Sequence, residues 1–306
     1  MKILIATSKP FAPVAVEQIR KVFETEGYDL ALLENYQDTS ELLTAVADAD
    51  ALIVRSDLVN ASVIDAAKQL RIVVRAGAGY DNIDLNACSE RKVVAMNTPG
   101  QNANAVAELA FEMMLYQARG GFAGKTGTEL RGKTMGLHGF GNVARCMARI
   151  AEGFGMTVSA YDPFISDEVF SEYNVKKCES IEKLYTSSQY VSLHMPANEK
   201  TKGSVGYNLL SGMPEDAVLI NTARKEVINE EALLKIFEDR PDFKYLSDVA
   251  PDCSSQIAGK YPGRFIFTLK KMGAQTEEAN INAGIAAARQ IVDYFKTGNE
   301  QFRLNK

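Results

Sequence analysis

Gly139-Phe140-Gly141-Asn142-Val143-Ala144 is the segment of the chain whose residue types and spacing most clearly imply chemistry. It follows the apolar run Thr134–His138 and opens a helical pattern over Val143–Glu152. A strand–turn–helix of this kind handles phosphates. Gly139 permits a tight turn, Gly141 lets the backbone approach a pyrophosphate, and Ala144 keeps helix and strand close. Asn142 and Val143 then begin a helix whose free N–H groups and positive dipole end favour an anion. The next apolar run, Thr157–Tyr161, ends at Asp162, 21 residues after Gly141. A carboxylate there accepts hydrogen bonds from ribose hydroxyls and repels a 2′-phosphate, which selects NAD over NADP. The hexamer alone is a weak signal; strand, turn, helix and acid together indicate a dinucleotide site. A second candidate is Gly77-Ala78-Gly79, which follows the strand-like run Ile72–Val74. Successive backbone N–H groups there can form a nest for a carboxylate, although a plain strand-end turn accounts for the same residues.

The elements that position these residues follow from hydropathy. Short apolar runs at Lys2–Ala6, Leu30–Leu33, Ala51–Val54, Ile72–Val74 and Val93–Met96 alternate with helical stretches such as Val14–Glu26 and Ser62–Ala67. A second series has strands at Thr134–His138, Thr157–Tyr161, Tyr190–His194, Ala217–Asn221, Tyr245–Asp248 and Phe265–Thr268, with helices at Val143–Glu152, Ser180–Ser187 and Glu230–Asp239. Such alternation predicts parallel strands joined by crossover helices, hence two α/β units in series. Ala103–Arg119 is helical in period and stops at Gly120-Gly121. The last helix, Thr276–Phe295, follows the second series with no strand after it. It can pack back on the first unit or close its own; the pattern fits both.

Composition narrows the function classes. The chain has 306 residues, enough for two domains, with 46% hydrophobic and 24% charged residues. Its net charge of −5 shows no basic face for nucleic acid, so an anionic ligand must be recruited by local cations. Cys88, Cys146, Cys178 and Cys253 are scattered, which reads as reduced thiols in a cytosolic protein. His138 and His194 form no metal-ligand pattern with them. No stretch approaches a membrane span, and the N-terminal apolar run is too short for a signal peptide. The expectation is a cytoplasmic protein with no membrane partner.

The stretch Ala217–Arg224, followed by Val227 and Glu230–Leu233, resembles the signature of the D-2-hydroxyacid dehydrogenases, as does Gly127–Thr134 running into the glycine turn. The similarity extends from about residue 50 to 290. Arg55-Ser56, the run Arg75–Asn82 and Asn97–Gly100 resemble the D-3-phosphoglycerate-oxidising branch most closely. The resemblance implies two Rossmann-like or flavodoxin-like doubly wound parallel-sheet domains separated by a cleft. Residues 1–99 plus 278–306 would bind substrate and 100–277 would bind NAD. It returns the last helix to the first domain and implies a homodimer built on the cofactor domain. The implied reaction is oxidation of 3-phosphoglycerate, a phosphorylated 2-hydroxy acid, to 3-phosphohydroxypyruvate. Arg224 matches the family's catalytic arginine, whose planar fork can hold a carboxylate and polarise a carbonyl. Thr222, His194 and Asp248 match cofactor-side positions, Asp248 as acceptor from the carboxamide. Arg55, Ser56, Arg75, Ala78 and Gly79 fall on the substrate side. Arg55 could equally be a structural partner.

The chain departs from the family at the proton donor. Most members pair a histidine with an orienting glutamate. Counting back from Gly273-Ala274-Gln275-Thr276 puts Lys271 at the histidine position; counting forward from Thr268 gives Lys270. Lys271 is the preferred reading. The glutamate position offers Asp252 or Cys253, and a lysine has no tautomer that needs orienting. As an ammonium, Lys271 can protonate a developing alkoxide. As a base it must be neutral, for which burial and the charge of Arg224 are the expected causes. The sequence ends soon after the last helix, so no C-terminal regulatory module is expected. Two rival readings are a hydroxypyruvate or glyoxylate reductase on the same scaffold and a non-catalytic NAD-binding scaffold.

Overall fold

A computed structural model describes residues 1–305. The chain folds as two compact units, Met1–Asn102 with Gln275–Lys306, and Ala103–Ala274.

The first unit runs β1 (Lys2–Thr7), α1 (Pro13–Glu24), β2 (Asp29–Glu34), α2 (Thr39–Val46), β3 (Ala51–Val54), α3 (Ala61–Ala66), β4 (Ile72–Arg75), α4 (Leu85–Glu90) and β5 (Val94–Asn97). Its five strands are parallel in the order β2-β1-β3-β4-β5. The central strands are apolar except at their ends because both sheet faces are covered. Leu52, Val54 and Val73 join the core on one face, and Ala51, Ile53, Ile72 and Val74 join the core on the other. Helix starts are set by side-chain caps. Asn60 accepts from Val63 N–H, Asp84 from Ala87 N–H, and Asp38 with Glu41 forms a reciprocal box at α2.

The second unit runs α5 (Ala103–Ala118), β6 (Thr134–His138), α6 (Asn142–Gly153), β7 (Thr157–Tyr161), α7 (Asp167–Glu172), β8 (Lys176–Lys177), α8 (Ile181–Ser187), β9 (Tyr190–Leu193), α9 (Tyr207–Ser211), β10 (Val218–Asn221), α10 (Glu230–Asp239), β11 (Lys244–Ser247), α11 (Ser254–Lys260) and β12 (Phe265–Phe267). Its seven strands are parallel in the order β12-β11-β10-β9-β6-β7-β8. Strand order reverses between β6 and β9, which is where open α/β sheets bind ligands.

The closing helix α12 (Glu277–Thr297) belongs to the first unit. Ala283, Ala287, Ala288 and Ile291 pack with Ala15, Ile19 and Phe23 of α1. Gly284 lets the helices approach closely, since a Cβ there would lie 2.9 Å from Ile19 Cδ1 and 3.1 Å from the Phe11 ring. The tail then pairs antiparallel with the edge strand through Met96 and Arg303. Buried Asn305 mimics a backbone there: its Oδ1 accepts from Ala95 N–H and its Nδ2 donates to Val93 O. The five-stranded edge is thereby covered.

Candidate active site

The glycine turn sits at the reversal of strand order in the second unit. Gly139 has φ 90°, and a Cβ on it would lie 3.1 Å from the carbonyl carbon and oxygen of His194. Only glycine lets the ends of β6 and β9 come this close. Gly139 N–H donates to Tyr161 O, and His194 N–H donates to His138 O. Gly141 caps α6 with no side-chain cap, and a Cβ on it would meet nothing within 4 Å. The N–H groups of Asn142 and Val143 have no acceptor among the described residues. Ala144 is fully buried against the strand, as the third small position requires.

Two buried polar atoms line this end of the sheet unpartnered, His194 Nε2 and Thr222 Oγ1. Open donors on a helix, open space above a glycine and two orphaned polar groups fit a dinucleotide. Asp162 ends β7 with a dual task. One oxygen accepts from Phe140 N–H inside the glycine turn at 2.8 Å, and the other from Phe164 N–H at 2.9 Å. Each oxygen retains acceptor capacity for a ribose hydroxyl. His138 and His194 stay neutral here. Burial brings His138 down to about 4, opposed by Asp162. Burial, then the neighbouring His138, brings His194 down to about 3.

Arg224 and Lys271 converge on one carbonyl. Asn221 closes the turn after β10: its Oδ1 accepts from Ala223 N–H, and its Nδ2 donates to Arg224 O and to the Tyr245 hydroxyl. Ala223 O then accepts from Arg224 Nη1 at 3.1 Å and from Lys271 Nζ at 2.8 Å. Lys271 is an exposed residue whose ammonium reaches back to this carbonyl. A guanidinium and an ammonium on one carbonyl oxygen can hold a carboxylate and deliver a proton beside it.

Asp248, read from the sequence as a cofactor-side acceptor, is held by the loop that follows β12. It is 3% exposed, and its carboxylate already accepts three hydrogen bonds from the loop after β12. The donors are Thr268 Oγ1 at 2.9 Å, Met272 N–H at 2.7 Å and Gly273 N–H at 2.8 Å. The following residue, Val249, has φ 141°, a conformation that costs a β-branched residue about 1–3 kcal/mol. Ser247 Oγ donates to Val249 O at 2.8 Å and holds it there. The two residues at the family glutamate position are also committed. Asp252 pairs with Lys225 at 2.5 Å. The Cys253 thiol is pushed up to about 12, chiefly by burial and then by Glu230, so it remains protonated. Glu230 accepts from both Asp252 and Cys253 N–H groups and fixes this corner.

In the first unit, the loop after β4 has the form of a nest. Gly77 O accepts from Thr98 N–H, and Ala78 O accepts from Asn97 Nδ2. The N–H groups of Ala78 and Gly79 have no acceptor among the described residues. The Arg75 guanidinium fills the space a Cβ on Gly77 would need, and its Nε donates to Arg55 O at 2.9 Å. Arg55 is a strut. Its Nη1 donates to Lys9 O and Pro10 O, its Nη2 to Asn280 Oδ1, and it stacks on Phe11. Burial lowers its pKa from the usual arginine value. Ser56 beside it is exposed. Sequence reasoning gave no role to Asn221, Asn97 or Thr268: the two asparagines, which bond backbone groups, stood there only as members of family-like stretches, and Thr268, which bonds the Asp248 carboxylate, only as a point to count from.

Residues 103–256 match the family model of the D-isomer specific 2-hydroxyacid dehydrogenase NAD binding domain. The chain belongs to the D-isomer specific 2-hydroxyacid dehydrogenase family. Within this dehydrogenase family, a D-3-phosphoglycerate dehydrogenase of Archaeoglobus fulgidus is 33% identical over 313 residues, covering 97% of this chain and 58% of the relative. A hydroxypyruvate reductase of Thermotoga maritima is 32% identical over 291 residues, covering 86% of this chain and 90% of the relative. The crystal structure of NAD+-bound 3-phosphoglycerate dehydrogenase from Entamoeba histolytica matches with TM-score 0.87 and 46% identity, covering 100% of this chain and 99% of that one. The chain spans 58% and 51% of the length of two curated archaeal phosphoglycerate dehydrogenases.

Proposed function

We propose that this chain is an NAD-dependent dehydrogenase that interconverts D-3-phosphoglycerate and 3-phosphohydroxypyruvate, working as a cytoplasmic homodimer. The observation that carries the reading is the convergence of Arg224 and Lys271 on Ala223 O, in a unit whose glycine turn fits a dinucleotide. Gly139, Gly141, Asn142 and Val143 would hold the pyrophosphate, Asp162 a ribose, and His194 and Thr222 further polar groups of NAD. Bound NAD supplies a hydride acceptor for the hydrogen on C2. Arg224 grips the substrate carboxylate and polarises the C2 oxygen. Lys271 takes the hydroxyl proton in oxidation and returns it to the oxygen in reduction. In the first unit, the Ala78 and Gly79 N–H groups form a candidate anion nest of their own.

The names of the archaeal and amoebal relatives favour the phosphorylated substrate. The Thermotoga relative favours hydroxypyruvate, and the chain covers 90% of that protein. NADH absorbance with phosphohydroxypyruvate and with hydroxypyruvate decides between them. The proposal expects kcat/KM to be at least about a hundredfold higher with the phosphate; equal values overturn the phosphorylated assignment. Light scattering in solution tests the dimer, and a monomer mass would remove it.

A further inference from the structure

Lys271 stands on a loop whose two ends are tied to one buried carboxylate. The loop Thr268–Gly273 leaves β12, exposes Leu269 completely, and returns to a buried Gly273. Both of its ends meet the Asp248 carboxylate. Oδ1 accepts from Thr268 Oγ1 on the outgoing side and Met272 N–H on the returning side, while Oδ2 accepts from Gly273 N–H. The fit is close: a Cβ on Gly273 would lie 2.9 Å from Asp248 Oδ2 and 3.2 Å from Val106 Cγ2. At the apex, the loop is tied to the same carbonyl that Arg224 uses, through Lys271 Nζ and Ala223 O. Three charge-assisted bonds from a short, buried side chain fix where the loop begins and ends.

We propose that Asp248 is a positioning residue: its carboxylate clasps both ends of the Thr268–Gly273 loop and so fixes the place from which Lys271 delivers its proton. The catalytic half of this statement rests on the acid/base reading of Lys271 above; the clasp itself does not. In Asp248→Asn the amide NH2 replaces one of the two oxygens and faces the N–H donor of either Met272 or Gly273, so one side of the clasp opens while the volume is kept. Hydrogen exchange in the absence of cofactor should show at least one of the Met272 and Gly273 amides exchanging about tenfold faster than in the parent. In turnover with NADH, kcat should fall by about a hundredfold while the Kd for NADH stays within about threefold. Thr268→Val removes one bond of the three, gives a milder effect in the same direction, and covers the case in which Asp248→Asn does not fold. Unchanged exchange overturns the clasp. Faster exchange with undiminished kcat, or an NADH Kd that rises while kcat at saturation is kept, overturns the positioning role and returns Asp248 to the cofactor. If the parent protein reduces no 2-keto acid, the proposed function fails while the exchange result still decides the clasp.

Discussion

At the scale of single residues, the candidate chemistry depends on what surrounds each charged group. Arg224 is held by its own preceding carbonyl and by a turn that Asn221 closes. Arg224→Lys keeps the charge but loses the planar fork, so kcat/KM for a 2-keto acid should fall by about a hundredfold or more in a steady-state assay, with NADH affinity unchanged. Gly141 makes a complementary prediction. A side chain on it meets no protein atom within 4 Å. Gly141→Val should therefore leave the thermal midpoint nearly unaltered and abolish NADH binding in a fluorescence titration; retained binding would show that the space above Gly141 is not used. The glycine turn was legible in the sequence because type and spacing carry its meaning, whereas Arg224 and Lys271 were picked out by resemblance to the family. The partners of Asp248 were not, since two of its three donors are backbone N–H groups more than 20 residues away. Arg55 was likewise ambiguous, because its acceptors are carbonyl oxygens of a distant segment.

At the scale of elements, α12 shows how a close approach sets stability. Its Gly284 faces Phe11 and Ile19 with no room for a side chain. Gly284→Leu should destabilise the protein by about 1–3 kcal/mol in urea unfolding, because the Ile19 tip can shift but the Phe11 ring cannot without moving the loop before α1. No change would mean that the two helices separate at little cost. Most strands could be read from sequence because both faces of each sheet are buried, which makes β3 wholly apolar and β4 apolar up to Arg75. The elements that escaped were short. α2 has eight residues and α7 six, and β8 has only two lysines at a sheet edge. Too few residues remain there for a period to stand out, so a cap such as Asp38 with Glu41 is the only local mark.

At the scale of the whole molecule, the chain builds two parallel-sheet units from one alternating pattern, and α12 returns to the first. The choice between the two placements of α12 was not available from periodicity, because an apolar stripe does not name its partner. Global stability should depend on pH through the two half-buried histidines. From the ordinary value of 6.5, His138 falls to about 4 and His194 to about 3 in the folded state. The unfolded chain therefore binds protons first. Stability is fully present above about pH 6.5 and is lost as pH falls from there toward 4 and below, by up to a few kcal/mol. Urea midpoints should be lower at pH 5 than at pH 7, and replacing His194 by Asn should flatten the difference; an unchanged slope would assign the acid sensitivity to other groups. The measurement that bears most directly on the account is a single-turnover reaction of Lys271→Met with NADH and phosphohydroxypyruvate. The account predicts NADH bound with parental affinity and a decay of its absorbance at least about a thousandfold slower than in the parent; a decay at a near-parental rate would contradict it.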